Sequence, residues 1–115
     1  MGVICDIDGT ILAKGVIPIA KTIQKINSIP DVYLVTGRPE TDRANTIASL
    51  RKARIRYKAL LMNNTGSAAP AMQIRSKHNN AIRIMGHNDI TQAIDDNPAA
   101  RAMYSALGIE LVTPS

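Results

Sequence analysis

VICDIDGT, residues Val3–Thr10, is an apolar run that ends on two carboxylates. Val3, Ile4, Cys5 and Ile7 have the pattern of a short buried strand, and Asp8-Gly9 is a turn signal that stops it. On a strand, Asp6 and Asp8 point the same way, about 6–7 Å apart at Cα. Like charges repel and ionised groups resist leaving water, so such a pair needs a compensating partner.

The alternation that begins there continues along the chain. Ile17–Ile29 carries Ile19, Ile23, Ile26 and Ile29 at helical spacing, with Lys21 and Lys25 on the other side, and Pro30-Asp31 ends it. Val32–Val35 is continuous and apolar, as strands covered on both faces are. A helix is predicted over Glu40–Ala53, with the stripe Ala44, Ile47, Ala48 and Leu50. A strand is predicted over Tyr57–Met62, then the polar loop NNTGSAAP, then a helix over Met72–Met85. Ile90–Ile94 reads as a strand, Pro98–Leu107 as a helix stopped by Gly108, and Ile109–Val112 as a last strand. Strands alternating with helices predict an α/β, Rossmann-like three-layer fold: one domain over residues 1–115 around a five-stranded parallel sheet. Ligands gather at the carboxyl ends of strands in such folds.

Composition bounds the rest. Hydrophobic residues make up 45% of 115, enough for one core, and aromatics only 3% (Tyr33, Tyr57, Tyr104), so that core is built from Ile, Leu, Val, Ala and Met. The lone Cys5 cannot form an intrachain disulfide and reads as a small buried side chain. There is no leader and no apolar run long enough to span a bilayer, so the expected location is cytoplasmic, with no membrane partner. The net charge is +5, although four of the nine acids (Asp6, Asp8, Asp95, Asp96) sit in strand-end motifs. The remaining surface is therefore basic, which suits phosphates and polyanions.

Three strand ends carry polar residues: Asp6-Ile7-Asp8-Gly9-Thr10, Thr36-Gly37-Arg38 and Asp95-Asp96. Each has an ordinary alternative. Asp-Gly is a common turn, Thr-Gly-Arg can be a plain strand-to-helix turn, and Asp95-Asp96 before Asn97-Pro98 can cap a helix. An EF-hand loop also starts D-x-D, but the Gly and Glu it requires are missing. Converging at one edge, four carboxylates would destabilise the fold unless a cation resolved them, and an all-oxygen donor set suits Mg2+.

These residues resemble the haloacid dehalogenase superfamily of phosphotransferases, whose signature is D-x-D-G-T after the first strand. Asp6, Asp8 and Thr10 match the first motif, Thr36 the second and Asp95-Asp96 the fourth. Lys77 best matches the third-motif lysine, with Arg75 close by as the alternative. The resemblance implies that Asp6 attacks phosphorus to give an aspartyl-phosphate, and that Asp8 protonates the leaving oxygen and later activates water. Asp8 would need a pKa raised by neighbouring carboxylates. Thr36 would hold phosphoryl oxygens and Lys77 would offset developing charge. Mg2+ would be bound by Asp6, the Asp8 carbonyl and the Asp95-Asp96 pair, Asp96 being favoured as direct ligand.

TGRPE and AIDDNPAARAMYSALGIELV are similar to the 3′-phosphatase domain of phage-type polynucleotide kinase-phosphatases. That likeness implies substrate binding by Thr10, Lys14, Gly37 and Arg38, the arginine taking a phosphate through paired hydrogen bonds. The chain departs from that family in three ways. It has no G-x-x-x-x-G-K-[ST] and hence no kinase half, its first loop offers Lys14 where an arginine is usual, and Met72, Gln73 and Ile74 are neutral where an acid is expected. No cap domain fits between the motifs, so the cleft can admit a chain end.

The expected function is an Mg2+-dependent phosphomonoester hydrolase acting on nucleic-acid 3′ ends, with no obligate protein partner. The alternatives are a phosphatase of nucleotides or other small phosphoesters, and a catalytically inactive module that binds nucleic acid or a partner. Arg51, Lys52, Arg54, Arg56 and Lys58 crowd one stretch at the start of the third strand, which puts them opposite the expected site. His78 and His87 read as surface residues without a metal constellation.

Overall fold

The computed structural model describes residues 1–14 and 16–113. Strand β1 (Gly2–Cys5) is buried throughout and forms the centre of a five-stranded sheet. A two-stranded antiparallel hairpin, β2 (Leu12–Ala13) with β3 (Ile17–Pro18), follows and leads into helix α1 (Ala20–Asn27). Next come β4 (Asp31–Pro39), a 3-10 turn at Glu40–Asp42, α2 (Arg43–Lys52), β5 (Ala59–Asn63), α3 (Pro70–Met85), β6 (Ile90–Ile94), α4 (Pro98–Ala106) and β7 (Glu110–Val112).

The sheet order is β5-β4-β1-β6-β7, and every pairing in it is parallel. The chain builds outward from β1 through β4 to β5, then crosses back to lay β6 on the other side of β1. That reversal opens a crevice at the carboxyl ends of β1 and β6, the place where such folds receive ligands. α1 and α2 cover one face, where Ile26 and Leu50 pack on Val3, Cys5, Val32 and Leu34. α3 and α4 cover the other, where Ala81, Ile84, Ala100 and Tyr104 pack on Ile4, Val35 and Ala93. Two covered faces explain why the strands read as unbroken apolar runs.

The boundaries differ from expectation in informative places. The predicted helix over Ile17–Ile29 begins only at Ala20, because Ile17-Pro18 pairs with Leu12-Ala13 instead. The second strand runs on to Pro39, so Thr36-Gly37-Arg38 is extended backbone and not a turn. On α2, Leu50 is buried and Ile47 packs against the core as the stripe requires, but Ala44 and Ala48 face solvent and Thr46 is buried instead. Alanine tolerates either side of a helix, so it marks the stripe poorly. The hairpin is the only element between the first motif and α1 among the described residues, and no cap is present. Among the described residues, no helix is long and apolar enough to cross a membrane.

Candidate active site

Asp6 follows β1, and its backbone N–H donates to the Ile94 carbonyl of β6 at 2.9 Å. That bond stitches the two strand ends together and brings Asp6 beside Asp95. Lys77, two turns into α3, reaches both: its Nζ lies 3.2 Å from Asp6 Oδ1 and 2.7 Å from Asp95 Oδ2. All three are buried. Thr10 Oγ1 donates to Asp6 Oδ2 at 3.2 Å, and the Asn97 N–H donates to Asp95 Oδ1 at 2.9 Å. Between them, the Asp6 and Asp95 carboxylates accept from one ammonium, one hydroxyl and one amide.

Burial pushes the Asp6 carboxyl up, against the opposing pull of the Lys77 ammonium, with Asp95 adding to the rise. Burial by itself would lower Lys77, but Asp6 and Asp95 more than offset it and hold the ammonium charged. Cys5 and Tyr104 beneath the cluster are both raised, chiefly by burial.

One carboxylate oxygen from each of Asp6, Asp95 and Asp96 lies within 4.8 Å of the other two, a set that could hold a metal ion. Asp96 is exposed and its Oδ1 takes only a long 3.4 Å bond from Thr10, whereas both Asp95 oxygens are engaged. Asp95-Asp96 does not cap α4. Asn97 does, accepting from the N–H groups of Ala99 and Ala100 at 2.9 and 3.2 Å. Gly9 has φ of 77°, and a β-carbon there would collide with the Asp96 carboxylate.

Asp8 stands apart from this group. Its carboxylate, about half exposed, takes a bidentate pair from Arg38 at 2.9 and 2.7 Å. The crowding of carboxylates expected around Asp8 therefore falls on Asp6, and Asp8's side chain is not part of the acidic cluster. Arg38 also donates to Thr46 Oγ1 at 3.2 Å, and Asp8 holds its guanidinium firmly charged. Thr36 is fully buried and its hydroxyl oxygen accepts from the Arg38 N–H at 3.1 Å.

A cavity of about 340 Å³ opens here, lined by Asp6, Asp8, Gly37, Gln73, Lys77, Asp96, Asn97 and Pro98. It unites residues from four segments of the chain, as expected from the strand ends. Arg75 is exposed, so Lys77 is the cation of the cluster. Thr10 and Thr36 contribute through Asp6 and Arg38 and do not line the cavity. Lys14 is exposed at the hairpin turn with φ of 50°, and the cavity lining does not include it. Gln73 and Asn97 were not anticipated. Asn97 had a signal, Asn before Pro at a helix start, while Gln73 lies against Gly37 through packing alone, where a β-carbon would meet its side chain.

No protein-family model matches the chain, and no curated protein matches it in sequence. Solved structures do match. A chain of the Pnkp1/Rnl/Hen1 RNA repair complex superposes with a TM-score of 0.84 at 21% identity, over 97% of this chain and 41% of that one. A chain from a second structure of the Pnkp1/Rnl/Hen1 complex gives 0.75 at 23% identity, over 98% and 44%. The likeness is one of fold, and this chain spans less than half the length of those chains.

Proposed function

We propose that this chain is a divalent-metal-dependent phosphomonoester hydrolase in which Asp6 is the nucleophile and a nucleic-acid 3′-phosphate is the substrate. The observation that carries this reading is Asp6 itself: a buried carboxylate at a strand end, gripped by Lys77 and Thr10 and open to a polar cavity. A carboxylate pinned in this way is held for chemistry at one of its oxygens.

The donor set fits a hard cation, because carboxylate oxygens of Asp6, Asp95 and Asp96 cluster without any sulfur or nitrogen ligand among them. Asp6 and Asp96 would hold Mg2+, with the Asp8 carbonyl and Asp95 in support. When bound, the ion neutralises phosphoryl charge and orients the transferring group.

This chain's residues do the remainder. An Asp6 oxygen forms the new bond to phosphorus as the ester P–O bond breaks, and Asp8, which takes up a proton from solvent once Arg38 turns to the phosphate, gives that proton to the departing oxygen. Asp8 then takes a proton from the water that cleaves the acyl phosphate, releasing inorganic phosphate and restoring Asp6. Lys77 offsets charge on the phosphoryl oxygens. Arg38 presents its paired N–H groups to Asp8, and a substrate phosphate accepts the same fork, so phosphate binding would loosen Asp8 for its proton-transfer role. The carboxylates are positioned by strands and a helix rather than by loops alone, which keeps the geometry fixed.

The nucleic-acid assignment draws on the uncapped cleft, on Thr36-Gly37-Arg38, and on the shared fold with chains of an RNA repair complex. Its test is a comparison of kcat/KM for a 3′-phosphorylated oligonucleotide and for 3′-mononucleotides, each with and without Mg2+. The oligonucleotide should be preferred and Asp6→Asn should be inert. Preference for the mononucleotide overturns the chain-end substrate, and undiminished turnover by Asp6→Asn overturns the nucleophile.

A further inference from the structure

We infer that the amino-terminal edge of the sheet, opposite the catalytic cavity, is a docking surface for the phosphate backbone of nucleic acid. The inference goes beyond the proposed hydrolase and does not depend on it. Six cations meet at this edge: Lys25 in the last turn of α1, Arg51 and Lys52 ending α2, Arg54 and Arg56 in the following loop, and Lys58 just before β5. All six are exposed. Only Lys58 is paired, to Asp31 at 3.2 Å, and the other five have no ion pair among the described residues. At the opposite edge Arg38, Arg43 and Lys77 are each spent on carboxylates.

The loop that carries these charges is built, not slack. Asn27 of α1 clamps it from both sides, donating to the Arg54 carbonyl at 3.0 Å and accepting from the Arg56 N–H at 2.8 Å. Ile55 between the two arginines is buried and anchors the loop to the core beside Leu50. Arg54 sits at φ of 57°, a left-handed conformation that glycine adopts without strain. The loop is thus fixed with its two guanidinium groups turned to solvent.

A fixed row of unpaired arginines and lysines matches regularly spaced phosphates, which take charge-assisted hydrogen bonds from such groups. A folded protein partner fits less well, because stable protein interfaces centre on apolar and aromatic anchors. Of the large exposed apolar side chains among the described residues, Val16 and Ile17 lie on the hairpin and Ile82 on α3, and Met1 borders this edge as a single side chain beside Ser28–Asp31, not as an apolar cluster. The molecule measures 32 × 31 × 25 Å, so a chain end in the cavity and backbone at this edge are no more than about 30 Å apart. A helical strand covers that with about nine nucleotides at 3.4 Å each. The surface therefore engages the body of a long substrate, not its reacting end.

The test uses the full chain and a single-stranded 20-nucleotide RNA with a 3′-hydroxyl, so that nothing is hydrolysed. Fluorescence anisotropy gives affinity from 50 to 200 mM salt. Four phosphate contacts contribute a slope of about −3 in log K against log salt, at about 0.7 per contact for a single strand. The variant Arg51→Gln/Lys52→Gln/Arg54→Gly/Arg56→Gln should flatten the slope by about 3 and weaken binding more than tenfold at 50 mM. Its hydrolysis of a small aryl phosphate should match wild type. If that variant does not fold, Arg51→Gln/Lys52→Gln at the exposed end of α2 should flatten the slope by about 1.4. An unchanged slope, or no RNA binding by wild type at 50 mM, overturns the inference. So does poly-glutamate of equal charge binding as tightly as the RNA, which would make the surface a dock for acidic protein. Loss of aryl-phosphate hydrolysis in wild type would count against the hydrolase and leave this measurement intact.

Discussion

The two ends of the sheet hold the molecule's charge on opposite terms. At the carboxyl end, Asp6, Asp95 and Lys77 are buried, and each is matched by partners between 2.7 and 3.2 Å away. At the amino end, Arg51, Lys52, Arg54 and Arg56 are in water, without an ion pair among the described residues. Burying an ion costs several kcal/mol, and its pairing only offsets that. Solvated charges cost almost nothing to keep. A buried triad is therefore held against a penalty that folding alone gives no reason to accept, whereas an exposed cluster reveals its use only through what it binds.

The largest effect that separates the two ends is catalytic. Asp6→Asn should lower turnover by more than about 10⁴-fold, as loss of a nucleophile does. Arg51→Gln/Lys52→Gln should leave aryl-phosphate hydrolysis within twofold of wild type. Equal losses in both would break the comparison. Chelation of divalent ions should abolish turnover while far-UV circular dichroism stays constant, since the cluster's partners are already in place. Asp96→Asn should raise the Mg2+ concentration needed for half-maximal rate more than tenfold without lowering the unfolding midpoint, because Asp96 is exposed. A lowered midpoint would assign Asp96 to the fold.

Lys77→Met tests the carboxyl end through stability. It removes the only ammonium between two buried carboxylates and should destabilise by about 3–5 kcal/mol, read as a lower urea midpoint at constant m. Asp95→Asn added to it should restore part of the loss by removing one of the stranded charges. A Lys77→Met protein as stable as wild type would mean the triad is solvated, and the contrast between the ends would collapse.

The sequence made the strand ends legible because the evidence is local: an apolar run and the polar residues that stop it. Lys77 was open to the same reading, since it shares a helical face with Ile74, Ala81 and Ile84 while Arg75 does not. What stayed hidden depends on distance. The Asp8–Arg38 pair joins residues 30 apart, and nothing in Asp-Gly or Gly-Arg-Pro announces it. Asn97 as the true cap of α4 frees Asp96 for the cavity and Asp95 for Lys77, but either assignment satisfies helix-start preferences. The hairpin stayed hidden because the helical spacing that starts at Ile19 follows directly on Ile17-Pro18, whose backbone pairs with Leu12-Ala13. The placement of the basic stretch at the far edge was legible from topology alone. Its clamp by Asn27 was not.

The smallest expected effect compares two left-handed residues, one at each end. Gly9, at φ of 77°, is held where side chains are strained, and a β-carbon there would also push the Asp96 carboxylate aside. Arg54, at φ of 57°, meets no such demand and accepts strain that glycine would not. Relief of a left-handed non-glycine residue is worth about 1–2 kcal/mol, and glycine's extra freedom in the unfolded chain takes back about 0.4–1 kcal/mol. Arg54→Gly should therefore stabilise by about 0.5–1 kcal/mol, a rise in Tm of about 2–5 °C in a domain of this size. The Asn27 bonds use the backbone of residues 54 and 56 and survive the change. Gly9→Ala should move stability the other way and reduce turnover as well. A lower Tm for Arg54→Gly would mean that the guanidinium makes a contact within the fold, and Arg54 would then leave the set of charges free to meet a phosphate.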